Sequence, residues 1–196
     1  EAYKGQVSRV IKGTIDVVGV SRGEPIEMYL QAPDKFLTVI QTSSQGTSKR
    51  GFDGSTGWSR NTAGLRTLKG PELEQLKSEV DFYNVLKLKS IYTKMTVAGM
   101  SKIGFRDVYV IEAQSPGGSL TRIYFDAETS LVVRINAVST IGNISGPAEI
   151  YLDDWREVDG IKSPFSLSYS FPKATVTMTI KEIKTNVQLD PRMFDP

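Results

Sequence analysis

Patterning predicts a β-rich α+β domain built on antiparallel strands. Three observations carry that expectation. Apolar and polar side chains alternate along most of the chain, short turn-forming peptides punctuate the alternating runs, and one helical stretch stands where a doubly wound fold would need a repeated β–α rhythm.

The alternation is clearest near the C-terminus. Phe165, Leu167, Tyr169 and Phe171 are separated by serines, and Ala174, Val176, Met178 and Ile180 are separated by Thr175, Thr177 and Thr179. Phe171-Pro172-Lys173 reads as the tight turn of a hairpin joining the two runs. Noisier strands are expected near 6–20, 25–31, 35–42, 48–52, 57–61, 65–69, 93–98, 106–113, 120–126, 131–139 and 147–156. Asp53-Gly54 and Asp159-Gly160 suit hairpin turns, and Pro116-Gly117-Gly118 suits a loop. Connections this short require antiparallel neighbours, because parallel strands need long crossovers.

The helical stretch is expected over 71–91. Pro71 fits the first turn, Glu72 and Glu74 suit the positive end of the helix dipole, and Leu73, Leu76 and Val80 share a face. A second piece from about Asp81 would carry Phe82, Val85, Leu86 and Leu88. With no linker, internal repeat or low-complexity tract, residues 1–196 read as a single domain.

Composition narrows the function. The chain has 196 residues, of which 39% are apolar and 23% charged, as in ordinary globular proteins. Lys and Arg number 24 against 22 Asp and Glu, scattered rather than clustered, so no nucleic-acid footprint is expected. The absence of His removes the Ser-His-Asp arrangement and most zinc sites; the absence of Cys removes thiol chemistry, iron–sulfur binding and disulfides. A protein that is not an enzyme, without cofactor or metal, is the expectation. The chain begins at Glu1, so a processed or truncated product is expected, with any signal sequence or lipidated Cys upstream. No run approaches the roughly 20 apolar residues of a membrane-spanning helix.

Individual motifs add little chemistry. Gly54-Ser55-Thr56-Gly57 lacks the Lys-Ser/Thr of a phosphate-binding loop. Asp153 and Asp154 are adjacent, and strand neighbours point to opposite faces, so a solvated or ion-paired role is preferred over a catalytic or metal one. Asn143-Ile144-Ser145 matches a glycosylation tripeptide that is common by chance. Trp58 and Trp155 suit core or rim packing, with a binding role as the alternative. A curved antiparallel sheet crossed by helices can enclose an apolar volume. Met28, Leu30, Phe36, Phe82, Leu86, Phe165, Leu167 and Tyr169 are the candidates to line it, and ordinary core packing is the competing reading for each.

Four segments carry a resemblance. Tyr29-Leu30-Gln31-Ala32-Pro33-Asp34-Lys35-Phe36 is followed by Gly51-Phe52-Asp53-Gly54 and Trp58; Tyr124-Phe125-Asp126 leads to Leu131 and Arg134; and Trp155-Arg156-Glu157-Val158-Asp159-Gly160 leads to Phe165. In order and spacing these segments resemble the LolA/LolB-like family of periplasmic lipoprotein carriers and outer-membrane lipoprotein-sorting proteins. The resemblance implies an incomplete, half-open antiparallel β-barrel with helices covering the concave face and an apolar cavity for acyl chains. It also implies no reaction, and a periplasmic or outer-membrane-anchored location. The family's Arg before the proline is Ala32 here, so no functional residue is carried over at that position.

The leading expectation is therefore a non-catalytic envelope protein that holds a lipid or the acyl chains of a lipoprotein, with the 71–91 segment as a lid. The alternatives are a structural or protein-interaction module of the envelope with a filled core, bound to an envelope protein partner, and a hydrolase dependent on Asp153 or Asp154.

Overall fold

The computed structural model describes residues 2–83, 86–141 and 144–196, without the side chains of Pro71 and Ser78. Thirteen strands form one antiparallel hydrogen-bonded ladder in the order β6-β5-β4-β3-β2-β1-β13-β12-β11-β10-β9-β8-β7, and its terminal strands are not bonded to each other. The chain forms two compact units: 1–86 with 156–163 and 179–196, and 87–155 with 164–178.

The first unit contains β1 (Ser8–Val17), β2 (Ser21–Gln31), β3 (Lys35–Thr42), β4 (Gly46–Phe52), β5 (Gly57–Asn61), β6 (Gly64–Thr67) and helix α1 (Gly70–Val80). Register places Leu30 opposite Phe36, Phe36 opposite Phe52, and Phe52 opposite Gly57, which makes one cross-strand row. On that row sit Leu73, Leu76 and Val80, with Leu68 preceding the helix. Gly57 permits the approach: a Cβ there would lie 2.7 Å from Leu73 Cδ1. Two ion pairs fasten the helix, Arg66 to Glu72 at 2.6 Å and Arg50 to Glu79 at 3.1 Å. Burial raises the Glu79 carboxyl above its ordinary value, with Arg50 opposing the shift.

The other face of these strands carries Tyr29, Leu37 and Trp58, closed by the C-terminal 3-10 turn Pro191–Phe194. Phe194 is fully buried, and the Trp58 indole Nε1 donates a 2.7 Å hydrogen bond to its carbonyl oxygen. The packing role expected of Trp58 is the one it has here.

The second unit contains α2 (Leu88–Ile91), β7 (Lys94–Ile103), β8 (Arg106–Gln114), β9 (Leu120–Asp126) and β10 (Val132–Ile141). It also contains residues 144–155 of β11 (Ile144–Val158), 164–171 of β12 (Ile161–Phe171) and 174–178 of β13 (Ala174–Thr185), the remainder of β13 falling in the first unit. The C-terminal hairpin forms as expected, with its turn at Pro172-Lys173. Asp159 and Gly160 both adopt positive φ (48° and 77°) in the two-residue connection from β11 to β12, the conformation an Asp-Gly hairpin turn requires.

Three expectations need correction. The 71–91 segment is not a continuous helical cover: α1 stops at Val80, and α2 is a four-residue turn that buries no residue. Asp81 ends α1 because its side chain accepts a 3.1 Å hydrogen bond from the Tyr83 amide, which turns the backbone aside. Phe82 and Leu86 therefore lie outside both α-helices, and Val85 falls outside the described residues. Second, β7 runs on to Ile103 instead of ending near residue 98. Gly99 adopts φ 132° at a bulge between Val97 and Gly99, so pairing with β8 resumes beyond it. Third, the strand expected over 6–20 closes at Val17, followed by a turn through Gly19 at φ 74°.

Candidate functional site

The strands β7 to β11 sort their side chains by charge onto two faces. On one, register aligns Met95 with Ala113, Val97 with Ile111, and Met100 with Tyr109. Ile111 opposes Ile123, and Tyr109 opposes Phe125. Ile123 opposes Ile135. Ile135 opposes Ile150, Ala137 opposes Ala148, and Ile141 opposes Ile144. At these paired positions, among the described residues, the polar members of this face are the hydroxyls of Tyr109, Thr121 and Ser139, and at the β7–β8 hairpin end the cross-strand pair Lys102–Asp107, whose charges meet at 2.7 Å.

The reverse face takes the charges. Glu112 pairs with Arg122 at 2.8 Å. Arg134 lies over the Tyr124 ring, 4.1 Å from its centroid, and 3.9 Å from Glu149, which accepts a 2.7 Å hydrogen bond from Tyr151. The Glu149 interaction raises the Tyr151 phenol above its ordinary value. The Arg134 guanidinium is raised too: burial would lower it, and side-chain hydrogen bonds to Tyr124 and Tyr151, with the charge of Glu149, outweigh that. This face also holds a small core of Val108, Val110, Tyr124 and Val133.

The apolar face is covered unevenly. Ala113, Ile123 and Ala148 are buried, but Val97 is 69% exposed, Met100 61%, Tyr109 46% and Met95 38%. Water wets such a row of exposed methyl and thioether groups unfavourably, so contact with another apolar group is favoured there. On the reverse face, where register puts Leu120, Asn136, Val138, Pro147 and Glu149, these residues line an open pocket of about 460 Å³ together with Phe171.

Of the residues expected to line a cavity, Met28, Leu30 and Phe36 stand in the first unit on the face that receives α1. Phe82 is buried in a cluster with Tyr3 and Tyr83, and Arg9 lies over the Tyr3 and Phe82 rings at 5.2 and 5.7 Å. Leu86 is half exposed. In the second unit Phe165 is buried, Leu167 is half-buried, and Tyr169 stacks on Phe171 with ring centroids 6.5 Å apart. Sequence reasoning placed the strands of the exposed apolar face but missed the face itself. The available signal was the contrast between Tyr109, Ile111, Ala113 and the intervening Glu112, echoed by Ile123 and Phe125 around Arg122 and Tyr124.

Asp153 lies 3.9 Å from Arg106, and Asp154 adopts φ 52° in β11. Among the described residues no three acidic side chains converge on a metal-sized site, and no described helix is long and apolar enough to cross a membrane.

No protein-family model matches the chain, and no curated protein matches it in sequence. Solved structures do match. A DUF1329 family protein from Desulfovibrio piger superposes with a TM-score of 0.71 at 13% identity, over 98% of this chain and 91% of that one. A LolA superfamily protein from Nitrosomonas europaea gives 0.66 at 11% identity, over 98% and 91%. The chain has a LolA-like fold. A Vibrio parahaemolyticus domain named for outer membrane lipoprotein sorting gives 0.58 at 10% identity, over 97% and 88%. At these identities the likeness is one of fold: an open antiparallel sheet with few helices.

Proposed function

We propose that the protein is a non-catalytic cell-envelope binder of lipid, holding the hydrocarbon of a lipid or of an acylated protein against the apolar face of β7 to β11. The observation that carries the reading is the sorting of charge: the Met95, Val97, Met100, Tyr109 and Ile111 side is open and almost uncharged, while its reverse holds the ion pairs. The LolA-like fold supports an envelope location, periplasmic or attached to the outer membrane. The cavity set of Met28, Leu30, Phe36, Phe82, Leu86, Phe165, Leu167 and Tyr169 is retained as a second group of candidate contacts.

The mechanism is passive. Each buried methylene contributes about 0.8 kcal/mol, so ten covered methylenes supply about 8 kcal/mol before the cost of immobilising the chain, the scale of micromolar binding. Release needs only an acceptor with a larger apolar contact. Native mass spectrometry after incubation with bacterial phospholipid vesicles tests the reading. A protein-plus-lipid mass is expected, and an unmodified mass at every lipid concentration contradicts it.

One observation favours a second reading, an interaction module for an envelope protein. β7 is a terminal strand of the ladder, exposed along nearly its whole length and uncharged from Met95 to Ser101, so its edge can accept a partner strand. Stoichiometric capture of a single envelope protein by lipid-free material would favour this module.

A further inference from the structure

We infer that the apolar face is blind to the head group of its ligand: it takes a long hydrocarbon and reads no charge. The inference deepens the lipid-binding reading and rests on it.

Where β8 to β11 pair with one another, Glu112, Arg122, Arg134 and Glu149 point away from the apolar face, by the same register that points Ile111, Ile123, Ile135 and Ala148 into it; Asp107, at the hairpin end of β8, stands on the apolar face opposite Lys102. On the reverse side they are also occupied with one another or with aromatic rings. Away from the hairpin end, the polar groups at these paired positions of the apolar face are the hydroxyls of Tyr109, Thr121 and Ser139. Lys102 is the cation that an anionic head group would need. It sits at the far end, at the β7–β8 hairpin, and Asp107 already neutralises it at 2.7 Å. A carboxylate or phosphate brought there would meet the Asp107 charge as closely as the Lys102 charge, so attraction and repulsion nearly cancel. Both side chains are more than half exposed, so salt and water screen what remains. Affinity then follows apolar contact alone, which is non-directional and grows with chain length.

The test uses the uncharged fluorophore diphenylhexatriene, displaced from the purified protein by hexadecanoic acid, hexadecanol and hexadecylamine. The inference predicts uptake of the dye and displacement by all three within about threefold of one another, unchanged between low and high NaCl. Dye uptake with the acid at least tenfold stronger than the alcohol, a preference that weakens in salt and disappears in Lys102→Met, overturns head-group blindness and leaves lipid binding standing. Failure of the dye to bind, together with no binding of any of the three chains by calorimetry, overturns the lipid reading and this inference with it.

Discussion

Val97→Asp and Thr96→Asp place the same charge on adjacent residues of one strand but on opposite faces of the sheet. Val97 stands opposite Ile111, and Thr96 stands opposite Glu112. Both positions are exposed, so neither change disturbs a packed core. Each therefore costs at most about 1 kcal/mol of stability, mainly through the poor strand propensity of Asp. Glu112, across from position 96, is already held by Arg122 at 2.8 Å, which limits repulsion of the new carboxylate. Their effects on binding diverge. A hydrocarbon lying over position 97 would have to desolvate an unpaired carboxylate or give up contact with Val97 and its neighbours; either costs about 2 kcal/mol or more. That corresponds to a loss of roughly thirtyfold in affinity for Val97→Asp, at about 1.36 kcal/mol per tenfold, against less than about threefold for Thr96→Asp. Diphenylhexatriene titration gives the affinities, and thermal unfolding followed by circular dichroism verifies that the two variants are comparably folded. Equal losses in both, or none in either, would refute the assignment of the ligand to this face.

Two further outcomes probe the first unit. Phe194→Ala removes a fully buried ring from beside Leu37 and Trp58, and should destabilise by about 3–5 kcal/mol in urea unfolding, with Trp58 fluorescence shifting to longer wavelength. Tyr29 should titrate at about 12 in a difference absorbance measurement against Tyr29→Phe, because burial, and then its hydrogen bond to Glu27, disfavour the phenolate. Its contribution to stability is complete below pH 10 and is lost as pH rises through about 12; Glu27→Gln should lower the midpoint without restoring the ordinary value.

The strand framework was legible wherever one phase of alternation ran unbroken. Residues 164–171 and 174–181 keep their apolar set in step from end to end, and both became the strands expected. Asp159-Gly160 was readable because positive φ at two consecutive residues suits that pair. The apolar face of the second unit was harder to see because two bulges break its phase. Met95 and Val97 are odd-numbered, but after the irregularity before Gly99 the same face continues with even-numbered Met100; Val132 and Ile135 change phase across the irregularity at Val133. A period-two reading loses the face at each such point, since an inserted residue sends every later side chain to the other side. The overextended helix has a different cause. Phe82, Val85 and Leu86 have helical spacing among themselves and so read as a second helical piece, but the Asp81 side chain captures the Tyr83 amide, and a local hydrogen bond of that kind is invisible to periodicity. The C-terminal plug was illegible altogether: Phe194 contacts Trp58 across 136 positions of sequence, and no local pattern announces a contact so distant.

Hydrocarbon is proposed to rest on the apolar side of β7 to β11. The most direct measurement is photolabelling with a diazirine-bearing hexadecanoic acid, followed by peptide mapping of the modified residues. Labels concentrated on Met95, Val97, Met100, Tyr109 and Ile111 are the result predicted. Labels on Thr96, Glu112, Arg122 and Arg134, or spread without preference between the two faces, would contradict it.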